Sequence, residues 1–526
     1  MSTLSQTVAL NAGMSKLGKH GELPEYFRSR SSPLIGAREA AATPSYSVQL
    51  SPQGQALAGD SAVQRGPVII DYTDNIKRPK DKTISALLGG GNRWWHTPGG
   101  SGETPSAVAL TTISYSFMAS ATGMDGIGFV AMDENQKQSI RDALAHISSF
   151  INVSFSETGS GGHLSFGTNN QSESAGYARY PNEGGQVLLA NNASTFNDGW
   201  APGSYTWMTI LHETAHALGL KHPGNYNAGG GGTEGPYLPK KYENRSHTIM
   251  SYSNDVKNMK RISYDGNSFS TSHVTPDTLQ MFDITALQYL YGQASSSATT
   301  YSFNEGEIFS RSIWNNNAAS EIDLSGMSSA NILDLRGGNF SSIGIRDAYA
   351  DMAPYFNKES YAELTSNGKK LTKLLGVPTY DGGNNLGIAK GSTINKVTGG
   401  GGNDAIISNG LSGTVLDGAN GDDHFFLSTG TSGDIIGGAG DDTVYLQKVK
   451  GALWSLNNGQ LTLTNTKTSA TLATVNIADV EHVHYWNGKK MKGLKSTPIL
   501  ASPLEQTASL AYASAPPPSA KINEKV

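Results

Sequence analysis

A nine-residue pattern recurs three times at a constant spacing of 19, and no other feature narrows the possible folds of this 526-residue chain as far. Gly399-Gly400-Gly401-Gly402-Asn403-Asp404-Ala405-Ile406-Ile407 fits G-G-x-G-x-D-x-U-x, where U is a large apolar residue. Gly418-Ala419-Asn420-Gly421-Asp422-Asp423-His424-Phe425-Phe426 keeps glycine at places one and four, Asp423 at place six and an apolar residue at place eight. Gly437-Gly438-Ala439-Gly440-Asp441-Asp442-Thr443-Val444-Tyr445 is a complete copy. A parallel β-roll explains the pattern: glycines form the tight turns, and Ile406, Phe425 and Val444 point inward. Aspartates with turn carbonyls then hold calcium between coils, since calcium prefers hard oxygen ligands on flexible turns. The expected calcium-binding residues are Gly399, Gly401 and Asp404, then Gly418, Asn420 and Asp423, then Gly437, Ala439 and Asp442. A coil of this length comprises two half-turns. Those near Val415 and Ile435 lack the aspartate, so calcium is expected along one edge, in about two sandwiched sites. A flexible linker would not repeat aspartate and an apolar residue in register.

Upstream, the pattern is of a different kind. Ile113-Ser114-Tyr115-Ser116-Phe117 alternates as a half-buried strand, after a first ordered stretch near Thr83 to Leu88. From Asp133, an N-cap with Gln136 three residues on, Ile140, Leu144, Ile147 and Ile151 recur at helical spacing, predicting a helix over 134–151. Val153 to Phe155, His163 to Phe166 and Val187 to Ala190 read as strands between Gly, Asn and Ser turns. A helix fits Trp207 to Leu220, and another opens at Thr275-Pro276-Asp277 and ends at Gly292. Helical periodicity nearly vanishes from 293 to about 500. The fold class is therefore an α+β domain followed by an all-β domain containing the parallel β-roll.

Chemistry concentrates in His212-Glu213-Thr214-Ala215-His216-Ala217-Leu218-Gly219-Leu220-Lys221-His222. On a helix, His212 and His216 share one face a turn apart and can converge on one divalent ion. Glu213 lies beside them and can reach a metal-bound water as general base. Gly219 can take the left-handed conformation that ends the helix and returns His222 as a third ligand. Three protein ligands leave a coordination position open for water, the mark of a catalytic zinc site. A chance match on an amphipathic helix explains the bare HExxH pattern, but not Gly219 and His222 at their required offsets.

This longer pattern resembles that of the metzincin metallopeptidases, whose methionine turn has a counterpart in Thr248-Ile249-Met250-Ser251-Tyr252. Together with the nonapeptides, known as RTX repeats, the chain resembles the serralysin family of secreted bacterial metalloendopeptidases. Phe282 to Gly292 and Leu386 to Gly391 resemble it too, and the likeness covers about residues 84–446. It implies a metzincin-like zinc peptidase of broad specificity, made as a zymogen and exported by a type I secretion system to act extracellularly on protein substrates. It implies zinc ligation by His212, His216, His222 and Tyr252, a methionine floor at Met250, general-base action by Glu213, oxyanion stabilisation by Tyr252 and structural calcium at Asp404, Asp423 and Asp442. Substrate is expected to lie extended along a strand edge between His163 and Leu189.

The expected organisation is a leader or pro-segment at 1–66, the peptidase domain at 67–292, a β-rich connection at 293–395, the roll at 396–446, terminal strands at 447–500 and a Pro/Ser-rich tail at 501–526 holding a possible secretion signal. Some features depart from the family. Relatives carry Trp-Asp-x-Gly-Gly-x-Asp where this chain reads Trp314-Asn315-Asn316-Asn317-Ala318-Ala319-Ser320, which removes the carboxylates of one calcium site. Leu453 to Leu456 and Leu461 to Thr464, joined through Asn458-Gly459, predict a hairpin. The end Glu524-Lys525-Val526 lacks the family's acidic residue followed by three apolar ones.

A net charge of −5 excludes a broad nucleic-acid surface, and the absence of cysteine excludes disulfides, zinc–thiolate sites and thiolate-based latency. No run is long and apolar enough to span a membrane, and Met1 to Lys19 has no signal-peptide core. A monomer is expected. His482 and His484 read as an exposed alternation on a strand; Lys489, Lys490, Lys492 and Lys495 as a solvated face; Gly229 to Gly232 as a loop near the cleft. A different functional class, a calcium-dependent binding or adhesion protein with an inactive peptidase domain, fits the atypical ends; intact Glu213 and Tyr252 speak for catalysis.

Overall fold

A computed structural model of the chain describes residues 79–89, 95–96, 108–109, 112–172, 174–192, 199–227, 231–254, 259–264, 269–346, 379–486, 491–492 and 508–509. The expected leader at 1–66, Gly229 and Gly230, Lys489, Lys490 and Lys495, and nearly all of the tail lie outside the described residues.

The first half is built on a five-stranded sheet. Its strands are β1 (Thr112–Phe117), β2 (Ser154–Glu157), β3 (Leu164–Asn169), β4 (Gly176–Ala178) and β5 (Gln186–Ala190), in the spatial order β2-β1-β3-β5-β4. All neighbours run parallel except β4, which lies antiparallel to β5 at the edge. Helix α1 (Glu134–Ser148) opens on the expected capping box, with Asp133 accepting from the Gln136 N–H and the Gln136 side chain accepting from the Asp133 N–H. Its apolar stripe Ile140, Ala143, Leu144 and Ile147 is buried. It stops at Ser148 rather than 151, because Ile151 pairs instead with Gln293.

Helix α2 (Tyr205–Ala217) starts before the expected Trp207, where the Ser204 hydroxyl accepts from the Trp207 N–H, and ends before Leu220 because Gly219 turns left-handed at φ 107. Helix α3 (Met281–Tyr291) begins later than Thr275-Pro276-Asp277, since Asp283 caps the Gln280 N–H and Asp277 is drawn out to pair with Arg311. The three helices and the sheet enclose one apolar cluster that includes Ile113, Leu144, Phe166, Ile210, Met250 and Leu287.

After Tyr291 the described residues hold no α-helix. The chain alternates between two ladders of parallel strands. One runs through Lys396–Thr398, Ser412–Asp417, Ser432–Ile436 and Thr471–Ala478, the other through Ala405–Ile407, His424–Leu427, Thr443–Gln447 and His482–Trp486. Ala405 faces His424 and His424 faces Thr443, so the sequence spacing of 19 is the strand register. Ile406, Phe425 and Val444 are fully buried between the ladders, with Val397, Leu416 and Ile435 opposite. Removing one such apolar side chain from water is worth about 1.5–3 kcal/mol, so each repeat supplies its own share of core.

The expected hairpin is present as Ala452–Asn457 and Gln460–Asn465, paired antiparallel; with Thr471–Ala478 it extends the first ladder sideways. His482 and His484 are less exposed than their alternation suggests: His482 lies 2.7 Å from the Asp441 carboxylate and the His484 ring packs edge-on against Tyr445. The side-chain amides of Asn315 and Asn316 donate to the Ser297 and Ala294 carbonyls.

Candidate metal centre

Helix α2 carries His212 and His216 on one face, and the left-handed Gly219 sends the chain back so that His222 joins them. Their Nε2 atoms converge, His222 lying 3.1 Å from His212 and 3.0 Å from His216. The opposite nitrogens fix the tautomers. His212 Nδ1 faces the Ile249 carbonyl at 2.8 Å and His216 Nδ1 the Leu220 carbonyl at 2.7 Å, contacts that only an Nδ1–H satisfies. Each Nε2 of this pair therefore presents a lone pair toward His222. The spacing is close to the roughly 3.3 Å between nitrogens on a tetrahedral zinc.

Burial reinforces this chemistry. It drives the His212 imidazole well below its ordinary pKa, His216 to about 4 and His222 to about 3, with neighbouring imidazoles adding to the effect at His212 and His222. All three rings are neutral and ready to ligate near pH 7. Among the described residues these form the one cluster of three or more His, Asp or Glu side chains suited to a metal ion. The donor set therefore fits zinc.

Glu213 is buried on the same helix, and burial pushes its carboxyl up to about 8. Edge strand β4 presses against it: a methyl group on Gly176 would come within 2.9 Å of Glu213 Cγ and 3.0 Å of Thr209 Cγ2, so glycine permits the approach. Met250 is fully buried, its N–H donating to the Thr248 hydroxyl. Tyr252 is 42% exposed, its ring centroid 4.5 Å from that of His222 and 6.1 Å from that of His212.

Three supporting residues were not singled out from the sequence for the site. Asp283 on α3 accepts from the Thr248 hydroxyl at 2.5 Å and the Ile249 N–H at 2.8 Å, clamping the turn whose Ile249 carbonyl orients His212. Tyr226 stacks on Tyr252 with centroids 4.8 Å apart and donates to Glu243, which also accepts from the Ser251 hydroxyl. No local motif announces these contacts; their only signal is the acidic residue Asp283 in a helix whose other residues carry no charge.

The residues expected to bind calcium line one edge of the two ladders. Asp404 N–H donates to Asp423 Oδ1 and Asp423 N–H to Asp442 Oδ1, while Asp404 Oδ1 receives the Asn331 N–H and side-chain amide. Asp423 Oδ2 and Asp442 Oδ2 are buried without a hydrogen-bond partner. Burial and the neighbouring carboxylates push Asp423 up to about 9 and Asp442 to about 6. Such oxygens suit a hard cation. The glycines of these turns bring successive coils together: a methyl on Gly440, at φ 153, would meet the Gly421 carbonyl at 2.0 Å. Gly399, Gly401, Gly418, Asn420, Gly437 and Ala439 all lie in these stacked turns, Asn420 and Ala439 being bridged directly.

Residues 107–263 match the model of metallopeptidase family M12. The chain is 29% identical over 332 residues to the metallopeptidase AprA of Pseudomonas marginalis, covering 58% of this chain and 61% of that protein. It is 28% identical to the metalloprotease AprA of Pseudomonas entomophila, over 58% of this chain and 60% of the relative. Serralysin of Proteus mirabilis is 30% identical over 251 residues, 40% of this chain and 48% of that protein. The chain thus spans about half to three fifths of the length of these relatives.

Proposed function

We propose that this chain, a metallopeptidase of the serralysin type, is a zinc endopeptidase that hydrolyses internal peptide bonds of proteins. The observation that carries the reading is the convergence of three imidazole nitrogens beside a buried carboxyl on the helix flanked by an open strand edge. When bound, zinc supplies Lewis-acid polarisation of the scissile carbonyl and lowers the pKa of water at the site. His212, His216 and His222 would hold the metal, with Tyr252, partly exposed beside them, as a further ligand, and the Tyr252 hydroxyl would donate a hydrogen bond to the developing oxyanion.

Glu213 takes the proton of the attacking water on a carboxylate oxygen and returns it to the leaving amine. Burial raises the proton affinity of the carboxylate, which suits the step in which it accepts the proton from water. Substrate pairs its backbone with β4, the antiparallel edge strand against which Glu213 packs.

Residues 396–446 are read as an RTX parallel β-roll that holds structural calcium at Asp404, Asp423 and Asp442. The 19-residue register and the two partnerless carboxylate oxygens support it. The peptidase domain is assigned to 67–292. The same reading has the protein act outside the cell as a monomer after type I export, with latency in the N-terminal segment; no helix among the described residues is long and apolar enough to cross a membrane.

The test is casein hydrolysis with calcium present. Glu213→Ala should lower kcat about 10²–10⁴-fold, and a zinc chelator should abolish turnover reversibly. Full activity in Glu213→Ala overturns the assignment.

A further inference from the structure

The roll does not end at its third motif. After Gln447 the chain leaves for the hairpin and then returns, so that Gly433 to Ile436 pair with Val475 to Ala478 and Thr443 to Gln447 pair with His482 to Trp486. Between these strands stand only Asp479, Val480 and Glu481, three residues where the other coils use a six-residue turn. No glycine pattern marks the place, yet its contacts repeat those of the motifs. Gly418 N–H donates to the Ile436 carbonyl, and Gly437 N–H to Ala478. Thr443 N–H donates to the Asp423 carbonyl, and His482 N–H to Asp442. Asp423 N–H donates to the Asp442 carboxylate, and Asp442 N–H donates at 2.8 Å to Glu481 Oε2.

The oxygen donors match as well. A methyl on Gly399 would meet the Gly418 carbonyl and Asp404 Oδ2; on Gly418, the Gly437 carbonyl and Asp423 Oδ2; on Gly437, the Asp479 carbonyl and Asp442 Oδ2. Asp479 thus supplies the carbonyl that the first glycine supplies in a motif, with a left-handed φ of 50 like that of Ala419 and Gly438 at the second place, and Glu481, with its longer side chain, stands in for the aspartate. Asp442 is fully buried, and its Oδ2 has no hydrogen-bond partner. At the opposite end the ladder closes differently, on the neutral side chain of Asn331, which donates to Asp404.

We propose that Asp479-Val480-Glu481 is a shortened fourth turn of the roll, and that a calcium ion binds between it and the turn 437–442 through Asp442, the Asp479 carbonyl and Glu481. This rests on the reading of the roll as a calcium site and adds one ion to the two sandwiched between the motifs. The shortened turn offers fewer carbonyls, so waters complete the shell and the ion is the weakest held of the three.

The test is equilibrium dialysis of the full chain against calcium chloride, counting bound calcium against free concentration. Glu481→Gln keeps an oxygen for the Asp442 N–H and removes only the charge. It should lose one calcium per chain, or weaken the weakest class by roughly tenfold or more, while the tighter sites stay unchanged. Glu481→Asp should retain the count at reduced affinity, which separates lost charge from misfolding. Unchanged binding in Glu481→Gln overturns the proposal and leaves Glu481 as a cap on the ladder. Asp423→Asn separates the premise from the proposal. If it loses calcium and Glu481→Gln does not, only the closing site falls; if the parent chain binds none at the roll, both fall.

Discussion

Single residues in this molecule act mostly through what burial does to them. His146 on α1 is fully buried, its Nε2 accepts the Leu279 N–H, and burial lowers its pKa from 6.5 to about 3. Above pH 6.5 both folded and unfolded chains hold it neutral, so its contribution is intact. As the pH falls from 6.5 toward 3 the unfolded chain takes up a proton the folded one refuses, and stability declines by up to several kcal/mol. His146→Gln, which keeps an acceptor for Leu279, should flatten this part of the melting-temperature profile against pH; an unchanged slope would show that another group controls it. Asp283 is a second case. Asp283→Ala leaves the buried Ile249 N–H without its partner and should cost about 1–3 kcal/mol. As a positioning residue for the turn beneath His212, its loss should also weaken zinc affinity in a chelator competition, an effect absent if Asp283 only stabilises the fold. The histidine triad was legible in the sequence because helical period and one glycine bring 212, 216 and 222 together. Asp283 was not, because its partners lie 34 and 35 residues away.

At the scale of elements, the local signals were read well where they were self-contained. Asp133 and Gln136 make the capping box, Gly219 ends α2, and Asn458-Gly459 turns the hairpin, since each depends on neighbours in sequence. The start of α3 was misplaced because the pull on Asp277 comes from Arg311, far along the chain. Repeat geometry supplies a sharper test. Ala419 occupies the second place of its motif and holds φ 67, where the third copy has Gly438 at φ 105. A left-handed alanine costs about 1–2 kcal/mol, part of which glycine gives back through a freer unfolded chain. Ala419→Gly should therefore stabilise the calcium-loaded protein by a few tenths to about 1 kcal/mol in denaturant midpoint. A destabilising result would mean that the turn tolerates alanine without strain.

Across the whole molecule, two apolar clusters are joined through a short three-stranded sheet formed by Arg311–Ile313, Asn339–Ser341 and Leu386–Ile388. Gly387 lets this sheet approach α3, since a methyl there would lie 2.7 Å from Met281 Cγ. Arg311 secures the junction: it pairs at 2.5 Å with buried Asp277, whose carbonyl accepts the Trp207 indole N–H from α2, and at 3.1 Å with Glu307. Arg311→Ala strands the Asp277 charge in the interior, at a cost of about 3–5 kcal/mol. It should split a single calcium-loaded unfolding transition into two; one undivided transition at the parental midpoint would assign the coupling elsewhere. None of this junction could be read from spacing or composition, because its charges come from segments that share no pattern.

The register of 19 residues has a consequence for how such chains diversify. Each coil touches only its immediate neighbours, so duplication of one 19-residue unit lengthens the stack by about one strand spacing, roughly 4.8 Å, and leaves every existing contact in place. Insertion of a single residue instead turns Phe425 or Val444 outward and its polar neighbour inward. A 19-residue insertion therefore preserves the inward and outward alternation of the stack, whereas a one-residue insertion inverts it.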